Sequence, residues 1–314
     1  MANVLITGGA GFIGRHVVRQ FLEHGWRVVV LDLHEFSEAE RQAMGEFTSI
    51  QGDINAVETL RKATKACDAV VHLAARVSVP QSIEKPEQTM FVNVEGTKNV
   101  LQCALDAGVG KVVVASSAAV YGSCSEMPLS ESAPVECLSP YAESKAANEQ
   151  QVVAFRDKGL NAIALRFFNI YGPGQPFDSA YASLIPVFVH SMKNGQRPTV
   201  HGTGEQTRDF VHVHDLARAV YSMVTKPTPY EHSVANVASQ TQISVLDVVD
   251  CINHGLHDYA GKEPIEPLHG EARAGDVMHS CGSNQRIQAM IDWKPQIDVR
   301  KGIESLVKGE DARR

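Results

Sequence analysis

The chain has 314 residues, 44% of them hydrophobic and 21% charged, a composition that suits a soluble globular protein of one large domain or two modest ones. A formal net charge of -7 without any strongly basic block argues against a nucleic-acid surface. No apolar run nears membrane-span length and no leader-like pattern precedes the first strand, so a cytoplasmic protein without membrane contact is expected.

The first element, NVLITG (3–8), is an apolar strand that runs directly into Gly8, Gly9, Gly11 and Gly14. Glycine costs conformational entropy, so four in seven positions either form a tight turn or admit something close to the backbone. A helical pattern, FIGRHVVRQFLEHG (12–25), follows, and the next strand, RVVVLD (27–32), ends at Asp32. Gly8, Gly11 and Gly14 fit G-x-x-G-x-x-G between strand and helix, where backbone N–H groups and the helix N-terminus can face a pyrophosphate. A lone glycine triad is weak evidence; Asp32, 18 residues beyond Gly14, adds an acceptor for an adenosine ribose diol. Asp32 would repel a 2′-phosphate, and Leu33 and His34 follow it with no arginine nearby, so NAD is expected over NADP. Asp53 in QGDINAVETL (51–60), taken alone, reads as a helix N-cap more readily than as a ligand.

Strands AVVHLA (69–74) and KVVVAS (111–116) are apolar on both faces, as in a parallel sheet covered on two sides. Helical patterns at 87–108 and 139–159 and a strand at 161–172 continue the alternation, which predicts a doubly wound, Rossmann-type α/β sheet. Beyond Gly172 the chain becomes rich in Gly, Pro and charge, with short helices at 180–194, 214–225 and 243–257. This predicts a smaller C-terminal lobe over 173–314 built onto a nucleotide-binding domain over 1–172, with some segments returning to the first domain. HVHD (212–215) reads as a strand end plus an N-cap for a helix at 215. Six scattered cysteines without C-x-x-C, and histidines without H-x-x-x-H or H-E-x-x-H spacing, predict no metal site.

Two segments carry chemistry. Ser116 and Ser117 end the strand at 111–116, and SPYAESK opens a helix with Tyr141 and Lys145. Four-residue spacing puts the phenol and the ammonium on one helical face, where the cation would lower the phenol's pKa from about 10. A phenolate can take a proton from an alcohol while a nicotinamide takes the hydride.

TGGAGFIG, GDI, HLAA (72–75), NVEGT (93–97), SSAAVYG (116–122), YAESK, LRFFNIYGPG (165–174), RDFVHVHD (208–215) and RAGD (273–276) together span nearly the whole chain. As a set they resemble an extended short-chain dehydrogenase/reductase of the sugar-nucleotide epimerase/dehydratase family. The resemblance implies Ser117, Tyr141 and Lys145 as the catalytic set. It implies a cofactor site of Gly8, Gly11, Phe12, Ile13, Gly14, Asp32, Asp53, Ile54, Leu73, Ala74, Ala75, Asn93, Ser116, Tyr141, Lys145 and Phe168. For a nucleoside diphosphate sugar, a UDP-sugar above all, it implies Ser117, Tyr141, Asn169, Val200, Arg208, Arg273, Asp276 and Ser280. A homodimer through helices near 87–107 and 141–157 is likewise implied.

Related 4,6-dehydratases carry Asp-Glu just before the VYG turn, and related decarboxylases carry Glu there; here Ala118 and Ala119 stand at those positions. Without an acid to protonate a leaving hydroxyl, simple return of the hydride to the opposite face favours a 4-epimerase. Elimination of water stays open, with Cys124 or His201 as donor, and a non-catalytic NAD-binding sensor is the third reading. Ser280, seven residues past Arg273, is small where galactose-only relatives carry tyrosine, which implies tolerance of N-acetylhexosamines.

Overall fold

The computed structural model describes residues 1–178, 182–272 and 277–310. Seven parallel strands form the central sheet: β1 (Asn3–Thr7), β2 (Arg27–Asp32), β3 (Thr48–Gln51), β4 (Ala69–His72), β5 (Lys111–Ser117), β6 (Ala162–Phe167) and, after four short strands elsewhere, β11 (Val234–Val237). Their order is β11-β6-β5-β4-β1-β2-β3, so the winding reverses between β1 and β4 and opens a crevice at the strands' carboxyl ends.

The helices in chain order are α1 (Phe12–Glu23), α2 (Glu38–Met44), α3 (Val57–Thr64), α4 (Val79–Glu84), α5 (Pro86–Met90), α6 (Gly96–Asp106), α7 (Pro140–Asp157), α8 (Leu184–Lys193), α9 (Val213–Thr225), α10 (Val245–Ala260), α11 (Gln285–Ile291) and α12 (Val299–Lys308). Strands apolar on both sides demand cover on both. On one face Val4, Ile6 and Val30 join Val17 and Phe21 of α1, Leu216 and Val220 of α9, and Trp293 in one buried cluster. On the other, Leu5, Leu31 and Val112 join Leu60, Leu101 and Val152 of α3, α6 and α7.

The C-terminal lobe has its own core, in which Ile185, Phe188, Val248, Ile252 and Ile303 bring α8, α10 and α12 together. Short pairs connect it: β7 (Asn169–Tyr171) lies parallel to β10 (Phe210–His212), β9 (Thr207–Arg208) antiparallel to β12 (Ile243–Ser244), and β8 (Thr199–His201) parallel to β13 (Leu268–Gly270). Beyond residue 172, α9, β11 and α11 contribute side chains to the same buried cluster as β1, β2 and α1.

Three local expectations need correction. The strand expected at 161–172 divides at Phe168, β6 staying in the main sheet while β7 pairs with β10. The helix expected at 87–108 is interrupted by a π-helical turn over Phe91–Glu95. The helix expected at 215 begins two residues earlier: His212 is its N-cap, accepting from the His214 N–H. Asp215 instead accepts from the backbone of Gln296 and Ile297 and from Arg218, tying the incoming C-terminal segment to α9.

Candidate active site

One cleft of about 1790 Å³ runs along the carboxyl ends of the sheet and under the C-terminal lobe. Its first wall is the glycine turn. Gly8 has φ +73°, and a Cβ there would come within 2.6 Å of the Ala74 nitrogen; at Gly14 it would come within 2.2 Å of the Gly8 carbonyl oxygen. Both positions therefore require glycine for the close approach of β1, β4 and α1. Gly11 caps α1 without any side-chain hydrogen bond, leaving the helix's first N–H groups directed at the cleft that Gly11, Phe12 and Ile13 line. That cradle fits a pyrophosphate.

Asp32 stands at the end of β2, its carboxylate oriented by the N–H groups of Ala10 (2.9 Å) and His34 (3.0 Å). An arginine that does not line the cleft shares Ala10 with it. Arg15 of α1 donates to the Ala10 carbonyl at 2.7 Å, and its other nitrogen is bound to Glu40. Arg15 comes from the helix before Asp32 instead of the loop after it. Asp53 is not the N-cap that it suggests when taken alone: Ala56 caps α3, while Asp53, assigned to the cofactor site by the resemblance, lines the cleft and accepts from the Asn55 N–H.

Beneath the turn, fully buried His72 bridges Thr7 (2.6 Å) and Thr97 (2.9 Å), and burial pushes its pKa down to about 3. It is a neutral strut, with no role as an acid at ordinary pH. Asn93 also serves as a strut. It is buried and holds the backbone of Arg76 on both sides (2.8 and 3.0 Å) and Ser144 (2.9 Å), and it does not line the cleft. Its reach to a cofactor is indirect, through the segment Leu73–Arg76.

Ser139 caps α7 by accepting from Ala142, and Pro140 occupies the first turn, which sets Tyr141 at the cleft. Lys145 follows one turn later with its Nζ 5.9 Å from the Tyr141 ring centre and 2.8 Å from the Ala115 carbonyl. Ser117 ends β5 beside them and accepts from the Ala119 N–H. The expected depression of the phenol is not present. Burial pushes Tyr141 above its ordinary value, the neighbouring Ser117 hydroxyl opposing, while burial lowers Lys145 to about 8. Desolvation penalises both charges more than this lysine geometry offsets.

Ser116 is buried and donates to Glu149 at 2.6 Å; Arg166 donates to the same carboxylate at 2.8 and 2.7 Å. Arg166 also lies 4.6 Å over the Tyr121 ring, whose hydroxyl donates to Asn236 of β11. This buried network fixes the strand end carrying Ser117, and the sequence reading missed it. Its one signal was spacing, since Glu149 lies a turn beyond Lys145 on the same helix.

In the lobe, Asn169, Val200, Arg208 and Ser280 line the cleft's other end with Phe168 at the junction. Arg273 and Asp276 lie outside the described residues. Asp209, also missed, is fully buried and accepts from Ser239 N–H and hydroxyl (2.7 Å each), Gln240 N–H (3.0 Å) and Gly282 N–H (3.0 Å). It pins three loops next to Arg208 and Ser280, and burial without a cation raises it to about 6. Among the described cleft-lining residues the only carboxylates are Asp32 and Asp53, both at the glycine-turn end.

A family model described as the NAD dependent epimerase/dehydratase family matches residues 4–238. A UDP-glucose 4-epimerase of Azospirillum brasilense is 32% identical over 96% of this chain and 89% of that protein. A UDP-N-acetylglucosamine 4-epimerase of Methanobrevibacter ruminantium M1, solved with UDP-N-acetylmuramic acid, superposes with a TM-score of 0.89. It is 32% identical and covers 98% of this chain and 97% of its own. MoeE5, solved with UDP-glucuronic acid and NAD, gives 0.86 at 32% identity over 98% of both chains. The glycine cradle, the oriented Asp32 and the Ser117–Tyr141–Lys145 group thus belong to a chain that is a member of the NAD-dependent epimerase/dehydratase family, an enzyme that uses NAD.

Proposed function

We propose that this enzyme is a UDP-sugar 4-epimerase that accepts N-acetylhexosamines. One observation carries the reading: Ser117, Tyr141 and Lys145 converge on the cleft while Ala118 and Ala119 stand beside them, and no described carboxylate lines the cleft at that end. Gly8, Gly11, Gly14 and Asp32 would hold NAD, which would supply the acceptor for the hydride of sugar C4 and its return to the other face. Tyr141 takes the proton of the 4-hydroxyl and gives it back, and the Ser117 hydroxyl holds the reacting oxygen. The Lys145 ammonium, held by the Ala115 carbonyl, serves the nicotinamide-side ribose. Asn169, Val200, Arg208 and Ser280 form the nucleotide and sugar end, with Arg273 and Asp276 assigned there by family resemblance. Small Ser280 leaves room for an acetamido group.

The surface supports a homodimer. Phe91 and Val153 expose apolar side chains within 87–107 and 141–157, the two segments proposed for the interface.

Incubation with UDP-GlcNAc, UDP-glucose and UDP-glucuronate separately, read by mass and proton NMR, tests the activity. An isomer of unchanged mass inverted at C4 is expected. A product lighter by one water would replace the epimerase with a dehydratase.

A further inference from the structure

Just behind the lining of the cleft's adenosine end stands a cation that shares one residue with Asp32. Ala10 carries Asp32 on its N–H and Arg15 on its carbonyl, so the ribose-binding carboxylate and a guanidinium flank a single residue. Arg15 lies 5.6 Å over the Phe36 ring and is bound to Glu40 of α2. The intervening loop folds back on the same acid: His34 donates its N–H to Asp32, and its Nε2 lies 3.4 Å from Glu40.

An adenosine 2′-phosphate needs two things that a 2′-hydroxyl does not. It needs relief from the facing carboxylate, and it needs a cation, best a guanidinium that binds two oxygens at once. Arg15 is the guanidinium linked to Asp32 through Ala10, but its charge is paired with Glu40 and its Nε–H is taken by the Ala10 carbonyl. We propose that Glu40 is a second coenzyme-selecting residue, which withholds from a 2′-phosphate the guanidinium standing beside Asp32. This rests on the assignment of NAD to this cleft. Asp32 repels the phosphate, and Glu40 denies it a partner.

The substitution that tests this leaves the local fold intact. Glu40 is the third residue of a capping box with Ser37, receiving the Ser37 N–H and hydroxyl, and glutamine serves the same position. Purified chains are equilibrated with NAD+ and NADP+ mixtures. The bound nucleotides are then released by acid and counted, which gives an affinity ratio whatever cofactor was retained initially. In an Asp32→Ser background, adding Glu40→Gln should raise the NADP+:NAD+ ratio about tenfold, and adding Arg15→Leu should cancel the rise. In the otherwise unaltered chain, Glu40→Gln should strengthen binding of 2′,5′-ADP relative to 5′-AMP about threefold, more at low salt than at high. Identical ratios with and without Glu40 overturn the proposal. So does a rise that persists after Arg15→Leu, because then the lost negative charge acts alone.

Discussion

Replacing Gly14 by alanine should break the cofactor cradle while leaving the catalytic residues untouched. The added Cβ would stand 2.2 Å from the Gly8 oxygen, 2.6 Å from the Gly9 Cα and 2.8 Å from the Gly9 carbonyl carbon, where ordinary contacts begin at 3.4 Å. All three are backbone atoms, so no side chain can swing aside and the turn must move by roughly 1 Å. Overpacking of this kind costs about 1–3 kcal/mol, and at roughly 2–4 °C per kcal/mol for large domains Tm falls by several degrees. The N–H groups that face the pyrophosphate move with the turn, so bound NAD falls as well. Gly108→Ala is the matched control. Its φ of +67° imposes left-handed strain, about 1–2 kcal/mol, but nothing lies within 4 Å of its Cβ. It should lower Tm slightly and leave NAD content unchanged. Thermal unfolding and acid-released NAD, measured on both variants, decide the matter. Wild-type NAD binding in Gly14→Ala, or equal NAD loss in Gly108→Ala, would refute the reasoning.

Tyr141→Phe should lower turnover by roughly 10²–10⁴-fold while retaining NAD, because it removes the proton carrier and no cofactor contact of comparable weight; steady-state rates and extracted NAD check both halves. Ser280→Tyr should lower kcat/KM for an N-acetylated UDP-sugar at least tenfold relative to its unacetylated counterpart, read in direct competition. Asp209 makes stability depend on pH in a definite direction. Its pKa is raised to about 6 from 3.8, so the native state keeps a proton that the unfolded chain has lost, and stability falls as pH rises from about 4 through 6. Relative to Asp209→Asn, the unaltered chain should therefore lose about 2 kcal/mol over that range in urea unfolding; a constant difference would remove Asp209 as the cause. Phe91→Glu should shift the protein toward monomer in light scattering; an unchanged mass would remove the 87–107 and 141–157 surface as the dimer interface.

Much of the site was legible because its chemistry is local in sequence. The glycine turn, Asp32, and Tyr141 with Lys145 each sit within one strand end or one helix turn, where spacing alone fixes neighbours. Asn93 misled for a related reason: its motif marked an important position without saying whether the side chain points at the cleft or holds its wall. Arg15 was overlooked because the search for a phosphate-binding cation followed the chain after Asp32, while the sheet brings α1 back beside it. The Glu149–Arg166–Tyr121–Asn236 network and the Asp209 pin were illegible because their members come from strands and loops distant in sequence. The sign of the Tyr141 shift was misjudged because burial cannot be read from a four-residue spacing.

The place of β11 at the sheet's edge sets a schedule for synthesis. The glycine turn and the catalytic helix leave the ribosome early, but β6 stays an open edge until Val234–Val237 emerges to pair with it. At about 5–20 residues per second the gap lasts several seconds. During that interval β6 offers unpaired backbone groups to any passing strand, and Tyr121 awaits the Asn236 that will receive its hydroxyl. The nascent chain thus carries its reactive residues well before it can hold them in place.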